Sequence, residues 1–197
     1  MTMRETALFP PIETARLILR CVESEDVAAM AALITPAVSQ SVARWPYPFT
    51  SDMASTRIAD ARAAAAAGDE LPFALVEKSL GAMIGWLVIH RHAEERSRGS
   101  FGYWLGEAWH GQGYMREAAP PALDCGFTLL ELDVIEAGAQ LDNAASFAIM
   151  RACGMNPVGD RMSPAPARGR DELCRFYELR RQPHHGNTAF PAPGTNG

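Results

Sequence analysis

Apolar and polar residues alternate through residues 14–21 (TARLILRC) around Leu17 and Leu19, the period of a half-buried strand. Val27, Met30, Ala31 and Ile34 then recur at helical spacing. Ser24 offers an N-cap oxygen for that helix, Glu25 and Asp26 suit its positive end, and Pro36 should stop it. Residues 44–49 (RWPYPF) make an aromatic and proline loop that neither a helix nor a central strand would accept. It reads equally as a packed plug and as a substrate contact through Trp45 and Tyr47. Ser51 should cap a second helix running through the alanine stretch to Gly68 at C′. Three strand-like runs follow, 73–77, 83–90 and 100–105, with turns at 78–81 and 93–99, which predicts an antiparallel meander.

A glycine-bearing turn (HGQG) then leads into a helix reaching Leu130. Pro120 and Pro121 fall inside it and should bend it, unless they begin a second helical segment. A strand at 134–139 and a helix at 144–153, ended by Gly154, come next. Runs 155–158 and 173–179 are expected to pair as a last hairpin across a long polar loop.

The 197 residues suit one domain, residues 1–182, which is long enough to bury a core without disulfides or metal. Residues 183–197, rich in Pro, Gly, Asn and His, have little to bury and are expected to be disordered. Net charge is −5, from 18 Lys and Arg against 23 Asp and Glu, so the basic footprint of a nucleic-acid binder is missing. The acidic balance mildly favours a cationic partner. With neither a leader-like nor a membrane-length apolar run, the expected address is cytoplasmic and no membrane partner is expected. Cys21, Cys125, Cys153 and Cys174 lie far apart with no CxxC pair and read as reduced core thiols. His90 and His92 share a strand face, yet no third ligand has suitable spacing, so no metal is expected.

The strongest local signal is residues 101–118, FGYWLGEAWHGQGYMREA. An apolar strand enters a loop holding Gly111 and Gly113 and then a helix, whose first amides are unpaired and converge with the positive end of its dipole. Such a start suits a phosphate or pyrophosphate, and glycine lets the backbone approach closely. A dinucleotide fingerprint fails here. Arg116 stands where its third glycine belongs, and meander strands precede the turn where βαβ alternation is required.

TARLILR, GYW, WHGQGYMREA and NAASFAIMRACGM, taken in order, resemble the Gcn5-related N-acetyltransferase (GNAT) superfamily, in particular its RimJ/RimL-like ribosomal-protein branch, over residues 12–181. The resemblance implies an α+β fold: a mixed, mostly antiparallel twisted sheet flanked by helices, in which strands 100–105 and 134–139 run parallel and splay apart. Acetyl-CoA, as co-substrate, is implied to lie in that opening, its pantetheine along the first strand and its pyrophosphate on His110, Gly111, Gln112, Gly113, Tyr114 and Met115. The family turn usually opens on Arg or Gln, and a neutral His110 offers one donor where Arg offers five. Arg116 either adds charge or is a solvated helix residue.

By the same resemblance Asn143 and Ser146 face the cofactor, Asn143 also being a natural helix cap. Ser146 sits near the CoA sulfur, where a hydroxyl either protonates the departing thiolate or only hydrogen-bonds it. The oxyanion donor is expected to be a backbone amide near Trp104 or Leu105. Many relatives carry Glu where this chain has Ser100, which leaves Glu107, Glu77, Asp142 and His90 as candidate bases, with Glu107 favoured through ordered water. The implied activity is acetyl transfer from acetyl-CoA to a primary amine, a peptide N-terminus or small molecule, by a monomer or homodimer. A non-catalytic acyl-CoA-binding sensor is the alternative.

Overall fold

The computed structural model describes residues 7–182, so the expected tail, 183–197, lies outside the described residues. Eight strands form one sheet in the order β1-β2-β3-β4-β5-β6-β8-β7. They are β1 (Ile12–Glu13), β2 (Leu17–Cys21), β3 (Glu70–Glu77), β4 (Ala82–Arg91), β5 (Arg98–Leu105), β6 (Val134–Gln140), β7 (Asn156–Ala165) and β8 (Arg170–Arg180). Every neighbouring pair is antiparallel except β5 with β6. The expected meander is β3, β4 and β5, joined to β2 by pairing across the chain.

Among the described residues five α-helices cover the sheet: α1 (Val27–Leu33), α2 (Pro36–Ser41), α3 (Ser51–Ala66), α4 (Tyr114–Leu129) and α5 (Ala144–Ala152). The central strands are apolar nearly throughout because both faces are covered. On β4, Ile84, Leu87 and Ile89 pack with Leu123 and Phe127 of α4, while Met83, Trp86 and Val88 pack with Met30 of α1 and Ile58 of α3. Alternation thus divides the core into two layers, with α4 and α5 on one and α1 to α3 on the other.

Several local expectations change. Glu23, not Ser24, opens the first helical turn: its amide donates to Asp26 at 2.9 Å, and Asp26 is held bidentately by Arg20 at 2.7 and 2.8 Å. Thr50 replaces Ser51 as the cap of α3, its hydroxyl accepting from the Met53 amide. Pro36 does stop α1, and it also begins α2 at N1, where its missing N–H costs nothing. Helix α4 runs through Pro120 and Pro121 as one element, forfeiting only the two amide donors that proline lacks.

The largest correction is at the C-terminal hairpin. The expected polar loop is itself strand, and β7 and β8 are joined by a short turn at residues 166–169. β7 is an edge strand exposed over most of its length, so no apolar alternation marks it, and Pro157, Gly159 and Pro164 are tolerated there.

Candidate active site

β5 and β6 pair only through Arg98 with Val134, Gly99 with Ile135 and Ser100 with Glu136. Beyond Ser100 the strands separate, β5 continuing against β4 and β6 against β8. The Gly106 amide reaches the Ile84 carbonyl and the His92 amide the Arg98 carbonyl, each at 2.9 Å. Even-numbered residues of β5 therefore exchange bonds with β4, and odd-numbered ones aim their N–H and C=O at the β6 side. In the opening the Tyr103 backbone and the Leu105 N–H are free, the Leu105 carbonyl being held by His110, whereas the Trp104 amide is directed to Trp86. Of the two residues expected to offer an amide, only Leu105 directs its N–H into the opening.

The turn after β5 is shaped by its glycines. Gly111 and Gly113 sit at φ 71° and 81°, a region L-residues enter at a cost. Gly113 is the N-cap of α4, and the amides of residues 111–116 find no acceptor among the described residues. His110 donates Nε2–H to the Leu105 carbonyl at 2.8 Å, a tautomer fixed because a carbonyl only accepts, so its ring braces the turn on β5. The Gln112 side chain folds back onto the Ala108 carbonyl. From the other side of the chain, Arg16 lies 4.1 Å over the Tyr114 ring, donates to the Gln112 carbonyl at 3.0 Å and pairs with Glu117 at 2.7 Å. Thr14 and the Arg16 amide also bond Glu117, which they and the guanidinium hold below the usual carboxylate range against the opposing effect of burial. Sequence reading missed this anchor, because it joins residues about a hundred positions apart.

Two cavities open on the splay. The larger, 510 Å³, runs from Gly111, Gly113, Met115 and Arg116 to Asn143 and Ser146. The smaller, 260 Å³, is lined by Trp45, Arg57, Glu70, His90, Ser100 and Gly102, among others. They share Ser41, Val42, Tyr103 and Ser146. Asn143 Oδ1 accepts from the Ser146 amide at 3.0 Å and caps α5, leaving its NH₂ for another partner. Beside Ser146, burial pushes the Tyr103 hydroxyl up to about 12. Tyr103 Oη and Trp104 Nε1 are both buried without a hydrogen bond of sound geometry among the described residues.

Register brings Glu70, His90 and Ser100 into one row across β3, β4 and β5. Glu70 Oε1 lies 2.6 Å from His90 Nδ1, which leaves Nε2 without a partner among the described residues. The other proposed bases stand elsewhere. Glu107 is exposed and accepts from Thr35. Glu77 is held below the usual range by Ser79 and the Leu80 amide in the β3–β4 turn. Asp142 faces a shallow groove with Arg170 and Glu172. Trp45 is buried against Trp86 and Trp104, while Tyr47 is exposed and lines neither cavity.

The wall shared by the cavities is tied down from the far hairpin. Arg168 donates to the carbonyls of Ser39 and Val42 at 3.1 and 3.0 Å and pairs with Glu172, whose carboxyl it holds down at about 2. A carboxyl held below its unfolded value of about 4.5 stabilises the fold fully above that pH and loses the effect as pH falls toward 2. Glu172→Gln should therefore lower Tm at neutral pH and flatten its decline between about pH 4.5 and 2.5. An acid limb identical to that of the parent would remove the pair from this account.

The family model described as "Acetyltransferase (GNAT) domain" matches residues 16–156. A curated relative, "Uncharacterized N-acetyltransferase p20" of Bacillus licheniformis, is 28% identical over 181 residues, covering 86% of this chain and 96% of its own. Among solved structures, the ribosomal-protein-S5-alanine acetyltransferase of Vibrio fischeri superposes with a TM-score of 0.74 at 21% identity, over 87% of this chain and 97% of that one. Mycobacterium smegmatis RimJ, solved with a CoA disulfide, gives 0.73 at 20% identity over 87% of each chain. Among the described residues no helix is long and apolar enough to cross a membrane.

Proposed function

The chain belongs to the GNAT acetyltransferase family, and from that premise we propose that it transfers an acetyl group from acetyl-CoA to a primary amine, by direct attack with both substrates bound. The observation that carries this reading is the meeting of two cavities at Tyr103 and Ser146, one of which ends on unpaired helix-start amides. Those amides, the open Leu105 N–H and the orphaned Tyr103 and Trp104 polar atoms fit a long ligand with phosphates at one end and amide groups along its length. The ribosomal-protein acetyltransferases that share the fold favour a peptide N-terminus as acceptor, with a small-molecule amine as the other candidate.

Acetyl-CoA supplies an acyl group already activated as a thioester, so the protein needs neither a metal nor a covalent nucleophile. Three tasks remain. The Leu105 amide, fixed by β4–β5 pairing, is aimed where negative charge develops on the acyl oxygen. Ser146, at the junction, gives a proton to the leaving sulfur, with Tyr103 beside it. His90, oriented by Glu70, takes the proton from the acceptor's ammonium across the second cavity, directly or through Ser100 and water, so that a neutral amine attacks. Glu107 is the weaker candidate because it lines neither cavity.

Free-thiol release and acceptor mass, followed over a panel of N-terminal peptides and small amines, test the proposal. Acetylated acceptor in proportion to thiol is expected, whereas tight acetyl-CoA binding without transfer to any amine would favour the sensor reading. Ser146→Ala should lower kcat about tenfold or more and leave acetyl-CoA Kd within about twofold, since a proton donor acts mainly as the thiolate forms. A matching loss of affinity at constant kcat would reassign Ser146 to holding the cofactor.

A further inference from the structure

The second cavity carries positive charge that its own walls do not neutralise. Arg57 on α3 and Arg44 on the loop before it both line this cavity. The Arg57 guanidinium lies 5.1 Å from the centre of the Trp45 ring and is half-buried. Neither arginine makes an ion pair or hydrogen bond among the described residues. Arg16, Arg20, Arg98, Arg168 and Arg175, by contrast, each hold a carboxylate at 3.0 Å or closer, while the unpaired Arg116 and Arg151 are exposed to solvent. Glu70, the acid on this wall, is engaged with His90, and it and then Asp60 act on Arg57 only through space. Burial, and next the charge of Arg44, make Arg57 hold its proton less firmly than an ordinary arginine.

A guanidinium drawn out of water beside a second one is unfavourable until an anion joins them. The ring of Trp45 supports one face of the Arg57 fork and leaves its edges for hydrogen bonding. On the same wall stand His90 and Ser100, where the proposed chemistry needs the amine. We propose that the acceptor carries a carboxylate near its reactive amine, bound by Arg57 with Arg44 beside it. The inference rests on the second cavity being the acceptor site. It makes the acceptor an amino acid-like amine or an acidic N-terminal peptide, opposite in sign to what the chain's net charge of −5 suggests. Local charge overrides the global balance here because exposed charges beyond about 8–10 Å are screened by salt.

Acetyl transfer from saturating acetyl-CoA is compared for tetrapeptide amides with Ala first and Glu, Gln or phosphoserine second, and for β-alanine against β-alaninamide. The carboxylate member of each pair should lead its amide by at least tenfold in kcat/KM for the pair that fits the cavity. Arg57→Gln should erase that ratio with acetyl-CoA affinity retained, and Arg57→Lys should keep part of it, since an ammonium supplies charge without the fork. In parallel, the acetylated products are titrated calorimetrically onto the CoA-saturated protein. Tighter binding of the carboxylate product that depends on Arg57, in the absence of turnover, would overturn the transfer reading and leave the subsite standing. The subsite is overturned if neither pair discriminates in rate or binding, if discrimination survives Arg57→Gln, or if only the phosphoserine peptide is preferred.

Discussion

Gly113→Asp is expected to reduce acetyl-CoA affinity by at least about a hundredfold while the protein remains folded. Gly113 sits at φ 81° as the N-cap of α4, and a built Cβ there would find only Arg16 at 3.7 Å, an ordinary contact. The protein itself therefore has room for a side chain. Two separate costs arise nonetheless. Any L-residue at this φ is strained by about 1–2 kcal/mol, less for Asn and Asp, which visit the region more readily. An aspartate oxygen is also a good N-cap, so it would occupy the amides that a phosphate needs and add like charge at the same place. The first cost lowers stability and the second lowers affinity. Gly113→Asn separates them, sharing the shape without the charge, and should lose clearly less affinity than Gly113→Asp in calorimetry. Equal losses would make the effect steric, and wild-type affinity in a folded Gly113→Asp protein would remove the turn from the cofactor site.

The turn was legible in the sequence because its cause is local: two glycines between an apolar strand and a helix. The meander was legible for the same reason, since the apolar runs of β3, β4 and β5 and the turns between them are written in consecutive residues. What stayed hidden depends on register. Glu70 and His90 are twenty positions apart and become partners only when β3 folds onto β4, and the Arg16–Glu117 anchor needs the whole sheet between its ends. Arg57 gave no signal because a helix arginine reads as solvated until the Trp45 loop is laid against it. The β7–β8 hairpin was hidden for another reason: an edge strand held by cross-strand ion pairs such as Asp160 with Arg175 has no core face to announce it. The choice of Glu107 as base followed chain proximity to the reacting strand. In the fold its carboxylate turns to Thr35, outside both cavities.

That difference yields the second large effect. His90→Gln should lower kcat by about a hundredfold or more, within the range that general base catalysis supplies, whereas Glu107→Gln should leave kcat within about twofold. Glutamine preserves a hydrogen-bonding side chain of similar reach opposite Ser100, so β4–β5 pairing and acetyl-CoA affinity should survive. The pH profile decides whether His90 acts on the proton or only on position. With His90 as acceptor, the acid limb of the rate profile reports a base supplied by the protein in addition to the amine's own deprotonation. In His90→Gln that limb should vanish, leaving the rate to follow the free amine alone, rising toward about 8 for an α-amine or about 10 for a lysine-like one. Glu70→Gln should lie between the two proteins in kcat, because it removes the charge that orients the ring and leaves the ring itself. A profile in His90→Gln that keeps the wild-type acid limb would exclude His90 as the base. The same limb lost in Glu107→Gln would restore the carboxylate acting through water.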